Sequence, residues 1–263
     1  MTPADINFSA RGGVAVASLN RPECLNALRE QTFRELHEIL EETASSDSIW
    51  VLVFTGAGRA FSSGKDLKEI NPEHVGAGVA EPESELKRLQ EITRRMHSHP
   101  SVLIAAVNGL AVGFGAELSL NCDIRLAAHT ASFAFVEPMR GLFPTNAAHF
   151  ILPRLIGQGR AAEMLLTGNT VRAVEAAEWG LVNRVFSDEQ LMDATLQIAN
   201  RIAANAPLSV RQSLRLLRES SHSTLEEVLI SEMEATMRCL QSSDVLEGAR
   251  AFFEKRPPVF KGE

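Results

Sequence analysis

Residues 102–120 read VLIAAVNGLAVGFGAELSL. The opening VLIAAV is apolar throughout, the signature of a strand buried on both faces, and Asn108-Gly109 ends it. Glycines at 109, 113 and 115 then let backbone approach backbone or a ligand. The segment closes on an apolar helix-like stretch whose one ionisable residue is Glu117. A buried strand, a glycine-rich turn and a helix in succession form a building block of α/β folds.

The same alternation extends outward. WVLVFT at residues 50–55 is a second buried-strand run, and Val14–Leu19 follows the Gly12-Gly13 turn as a third. Phe33, Leu36, Ile39 and Leu40 share one helical face, as do Leu86, Leu89, Ile92 and Met96 on a helix ending before Pro100. Residues 71–85 mix Gly, Pro and acidic residues and read as a surface loop. From Asp188 onward only helical patterns remain: three or four helices, broken near Pro207 and Ser220-Ser221 and ending at Pro257-Pro258. Their apolar surface suits docking or oligomer contact. The division expected is a catalytic core over residues 1–190 and a helical oligomerisation region over 191–263, with no fixed-period repeat.

Composition narrows the chemistry. A chain of 263 residues, 45% hydrophobic and 22% charged, is an ordinary globular protein of one large domain, with or without an appended subdomain. Its formal charge of -7 disfavours nucleic acid as a partner. Cys24, Cys122 and Cys239 are scattered, which suits reduced thiols in a cytoplasmic setting and indicates no metal site. No signal-like N-terminus or membrane-length apolar run occurs, so a soluble protein is expected. With 13 Phe but no Tyr, mechanisms that need a tyrosine hydroxyl are excluded. A P-loop fails at Lys65-Asp66, a dinucleotide fingerprint fails at Leu118, and a nucleophile elbow fails at Ala60. His97 and His99 read as solvent-facing.

Two segments and one further carboxylate survive these tests. Residues 55–68, TGAGRAFSSGKDLK, leave a strand through small residues and enter a helix near Asp66-Leu67, where free N–H groups can bind an anion or oxyanion. On its own the pattern fits a plain tight turn equally well. Glu117, within its apolar stretch, and Glu137, in FAFVEPMRGLFP at residues 133–144, are two carboxylates in apolar surroundings. If they converge they can divide base and acid roles; spacing alone leaves open that they are two unrelated structural carboxylates.

Five ordered stretches then resemble the enoyl-CoA hydratase/isomerase, or crotonase, family: NRPECLNAL at 20–28, AFSSGKDLKEI at 60–70, NGLAVGFGAELSLNCDIRLA at 108–127, FVEPMRGLFP at 135–144 and EGARAFFEKRPPVFKG at 247–262. The resemblance implies a core of ββα units wound as a superhelix, with two near-perpendicular sheets and a C-terminal helical trimerisation region. It implies assembly as a homotrimer or dimer of trimers, and a length close to that of one such core with its tail. It also implies an acyl-CoA thioester substrate held as an enolate by the backbone N–H groups of Lys65 and Phe114, with no separate cofactor, CoA being part of the substrate. Ser63, Gly64, Asp66, Leu67 and Lys68 fall at its CoA-binding positions, and Phe252 and Lys255 match positions that complete the site of a neighbouring subunit. Glu117 and Glu137 occupy both carboxylate positions of its hydratases, so water addition to a 2-enoyl-CoA is the expected reaction. A Δ3,Δ2-enoyl-CoA isomerase is the second reading and a noncatalytic CoA-thioester binder the third. FPTNAAH at 143–149 departs from the family's glycine-rich pattern and is expected to bring Thr145 and Asn146 near Glu137. Phe114 and Lys65 replace smaller residues, which is expected to narrow the acyl site.

Overall fold

A computed structural model of the chain describes residues 4–69 and 81–263. Strands β1 (Ile6–Arg11) and β2 (Val14–Leu19) pair antiparallel across Gly12-Gly13. With β3 (Val51–Gly56), β5 (Val102–Val107), β7 (Ile124–Ala128) and β10 (Arg184–Phe186) they form a sheet ordered β1-β2-β3-β5-β7-β10, parallel from β2 onward. A smaller sheet takes β4 (Ala60–Ser62), β6 (Leu110–Val112), β8 (Ser132–Ala134) and β9 (Val171–Arg172) in the order β4-β6-β8-β9. The chain therefore alternates between sheets: β3 then β4, β5 then β6, β7 then β8. The repeat is topological and leaves no fixed sequence period, because the connections differ in length.

VLIAAV earns its uniform apolarity, since every residue of β5 is buried. Helix α1 (Glu30–Ser45) buries Phe33, Leu36, Ile39 and Leu40, the face read from spacing. Helix α2 (Glu81–His97) packs beside it and buries Leu89, Ile92 and Met96, while Leu86 stays 40% exposed. The predicted loop at 71–85 is thus corrected at its end, where Glu81 already opens α2; residues 71–80 lie outside the described residues. His97 is exposed as expected, but His99 is buried. Thr43, the Leu40 carbonyl and Ser101 provide its hydrogen bonds, which offset the desolvation of its ring.

Helices α3 (Phe114–Leu120), α4 (Ala148–Ile156), α5 (Gln158–Thr167) and α6 (Ala173–Trp179) follow the strands of the smaller sheet. Helix α7 (Leu191–Ala203) lies on the large sheet through Leu191, Thr195 and Ala199, at a spacing of one helical turn. Helices α8 (Pro207–Glu219), α9 (Leu225–Leu240) and α10 (Ser243–Glu254) complete the chain, with breaks at Pro207 and at the 3-10 turn Ser220–His222. Leu225, Leu229, Met233 and Met237 of α9 remain exposed.

Asn26 fastens the loop before α1 to the smaller sheet. Its side chain accepts from the Arg21 N–H at 2.9 Å and donates to the carbonyls of Ala57 at 2.9 Å and Ala60 at 2.8 Å, while its backbone sits at φ 54°. Asn26→Ala leaves those buried groups unpaired and places a Cβ residue with less tolerance for this conformation. A loss of about 2–4 kcal/mol is expected, measured as a lower Tm in thermal unfolding.

Candidate active site

Three neighbouring parallel strands of the smaller sheet, β4, β6 and β8, point their carboxyl ends at one cavity of about 610 Å³. Past each end, within two or three residues, stands a group of interest: Lys65 after β4, Phe114 after β6 and Glu137 after β8. All three line the cavity, with Glu117 from the first turn of α3. Clefts beyond the carboxyl ends of parallel strands are recurrent ligand sites in α/β proteins.

The two predicted N–H donors stand side by side. The Leu28 N–H donates to the Gly64 carbonyl and the Asp66 N–H to the Leu28 carbonyl, both at 2.8 Å, which holds the peptides on either side of Lys65. Phe114 is the first residue of α3, so its N–H has no acceptor within the helix. A Cβ on Gly64 would lie 3.4 Å from the Phe114 nitrogen, so the two turns touch. The Phe114 ring packs edge-on against Phe33 with centroids 5.0 Å apart and is buried there, and Lys65 Nζ pairs with Glu85 on α2. The narrowing expected from a larger residue at 114 is therefore softened by the core taking up the ring.

The carboxylates converge in this cavity but are held differently. Glu117 is 2% exposed, and both of its oxygens accept from one residue: Oε1 from the Asn146 N–H at 2.9 Å and Oε2 from the Asn146 side-chain amide at 3.0 Å. Burial raises its pKa, and hydrogen bonding to Asn146 and to the Thr145 backbone opposes that rise without cancelling it. Glu137 lies over the turn that starts α3; a Cβ on Gly113 would meet its Oε1 at 3.0 Å. Its Oε2 is buried and finds no hydrogen-bond partner among the described residues. Burial is the main cause that raises Glu137 to about 7; the charge of Glu117 raises it further, while Arg140 draws it down.

Of the other predicted binding residues, Ser63, Gly64 and Leu67 line the cavity. Asp66 instead forms an ion pair with Arg21 at 3.1 Å, and Lys68 is outside the lining. The helix expected at Asp66-Leu67 is a single 3-10 turn, Leu67–Glu69. Phe252 and Lys255 stand exposed at the far end of α10, away from this chain's cavity. Asn146 is a correction: its contacts are with Glu117, because the loop after Pro144 folds back over α3. Asn121, not singled out from the sequence, supports both through its side-chain amide, at 2.7 Å from the Glu117 carbonyl and 3.1 Å from the Asn146 carbonyl. Its place four residues after Glu117 on one helical face was the available signal.

The sequence profile of the family described as enoyl-CoA hydratase/isomerase matches residues 9–263. The chain belongs to the enoyl-CoA hydratase/isomerase family. Among similar family members, the 1,2-epoxyphenylacetyl-CoA isomerase of Escherichia coli K12 is 35% identical over 251 residues, 95% of this chain and 96% of that protein. The short-chain-enoyl-CoA hydratase of Clostridium acetobutylicum is 34% identical over 254 residues, 96% of this chain and 95% of that protein. The crystal structure of an enoyl-CoA hydratase from Bacillus anthracis superposes with a TM-score of 0.92 at 36% identity, covering 98% of this chain and all of that one. Crotonase-family proteins named as hydratases and as isomerases thus both resemble this chain, and its fold is theirs.

Proposed function

We propose that the protein is an enoyl-CoA hydratase that adds water reversibly to the α,β-double bond of a 2-enoyl-CoA, giving a 3-hydroxyacyl-CoA. The observation that carries this reading is the presence of two carboxylates, Glu117 and Glu137, in the cavity that Lys65 and Phe114 also line. Glu117 takes a proton from water as the water oxygen bonds the β-carbon. The double-bond electrons move onto the thioester oxygen, where the two N–H groups stabilise the enolate. Glu137 gives its proton to the α-carbon as the carbonyl re-forms, and the proton on Glu117 restores the pair. The sum is one water added, with Ser63, Gly64 and Leu67 bordering the thioester.

Isomerisation of a 3-enoyl-CoA is the second reading. It is favoured by the engagement of both Glu117 oxygens with Asn146, which leaves Glu137 with the unpartnered oxygen that could carry a proton between carbons. Crotonyl-CoA separates the two. Loss of the conjugated thioester absorbance with formation of 3-hydroxybutyryl-CoA is expected; no loss, together with conversion of a 3-enoyl-CoA, would establish the isomerase.

A further inference from the structure

The two carboxylates differ in one respect that their own positions do not explain. Glu117 receives two N–H donors, with a smaller contribution from the Thr145 backbone, and Glu137 Oε2 receives none among the described residues. Both donors come from Asn146, a polar residue that is only 1% exposed. Every polar group of Asn146 is engaged. Its Oδ1 accepts from Thr93 Oγ1 at 3.2 Å, its carbonyl accepts from Asn121, and its Nδ2 reaches Thr145 Oγ1 as well as Glu117. An amide turned the other way would face its oxygen to the acceptor-only carboxylate, so Glu117 on α3 selects the orientation, and the Thr93 hydroxyl on α2 holds it by donating to the Oδ1 that then faces it.

We propose that Thr93 and Asn146 are a positioning pair for Glu117: the threonine hydroxyl fixes the Asn146 amide so that its N–H groups hold Glu117 as the ionised base and leave the proton to Glu137. The assignment of a base rests on the proposed function; the clamp itself rests on the contacts. The other charged groups around the cavity do not take this part. Lys65 is paired with Glu85, Arg140 acts on Glu137, and His97 reaches the cluster only through Asn121 at 3.1 Å. Donors to the charged form favour that form, so their removal moves ionisation to higher pH.

The experiment is a pH titration of protein carrying 13C-labelled glutamate carboxyls, with the Glu117 resonance identified by its absence in E117Q. In N146A its midpoint is expected to move up by about one pH unit, from the loss of one hydrogen bond to a charged group. T93V should move it the same way by less, and T93S should restore it. On crotonyl-CoA, N146A should lower kcat about tenfold with KM little changed. A midpoint unmoved in both N146A and T93V overturns the proposal, whatever happens to activity; so does a fall in activity that T93S shares. If the wild type does not hydrate crotonyl-CoA but the midpoint moves, the clamp stands and the hydratase reading falls. If N146A fails to fold, the T93V and T93S titrations decide.

Discussion

Glu137→Gln is expected to lower turnover of crotonyl-CoA by about 10²–10⁴-fold, the range over which a positioned acid or base contributes. Glutamine keeps the shape of the side chain and removes the proton that must reach the α-carbon. Binding of CoA, measured by calorimetry, should survive, because Ser63, Gly64 and Leu67 are untouched. A variant that retains wild-type kcat would sink the mechanism. The pH dependence follows from the same residue. Hydration needs Glu117 ionised and Glu137 protonated; dehydration needs the reverse, so both directions require one proton on the pair. With Glu137 raised to about 7, chiefly by burial, activity in both directions should fall as pH rises through about 7 and the pair loses that proton. In the Gln variant the remaining activity should lose that limb.

Gly64→Ala is expected to damage the oxyanion site without touching a carboxylate. Gly64 has φ +89°, which side-chain-bearing residues rarely adopt, and a Cβ there would lie 2.7 Å from the Val112 carbonyl. Relief requires the turn before Lys65 and the turn before Phe114 to separate, which misaims at least one N–H. Loss of one such donor costs about 2.7–4 kcal/mol of transition-state stabilisation, or about 10²–10³ in kcat. Gly12→Ala is the control: it too has positive φ, but at a hairpin turn with open space around it. It should lower Tm and leave kcat in place. Equal activity losses in the two variants would show that strain, not the donor geometry, is responsible.

The long buried strands and amphipathic helices are legible because burial leaves a mark on every residue of VLIAAV and on one face of α1 and of α2. The strands β4, β6, β8 and β9 were not, since two or three residues cannot display an alternating pattern and their pairing is decided by the chain returning to the same edge. Glu117 and Glu137 stood out as carboxylates among apolar neighbours, and both do line the cavity. What failed was reach. Asn146, nine residues after Glu137, is expected beside it from spacing, but the loop brings it to Glu117, twenty-nine positions away. His99 failed for a related reason: its partners Thr43 and Leu40 belong to a different helix.

The ladder of β4, β6 and β8 also acts as a ruler. Adjacent strands run about 4.8 Å apart, so one N–H just past β4 and another just past β6 are separated by roughly one strand step. An oxygen seated between two donors at that separation can lie about 2.9 Å from each. The width of the proposed anion seat is thereby set by strand spacing and by the backbone of the two turns, and exchanges confined to the carboxylates leave it unaltered. Acids and bases placed past β8 and on α3 can therefore change without changing the span between the two donors.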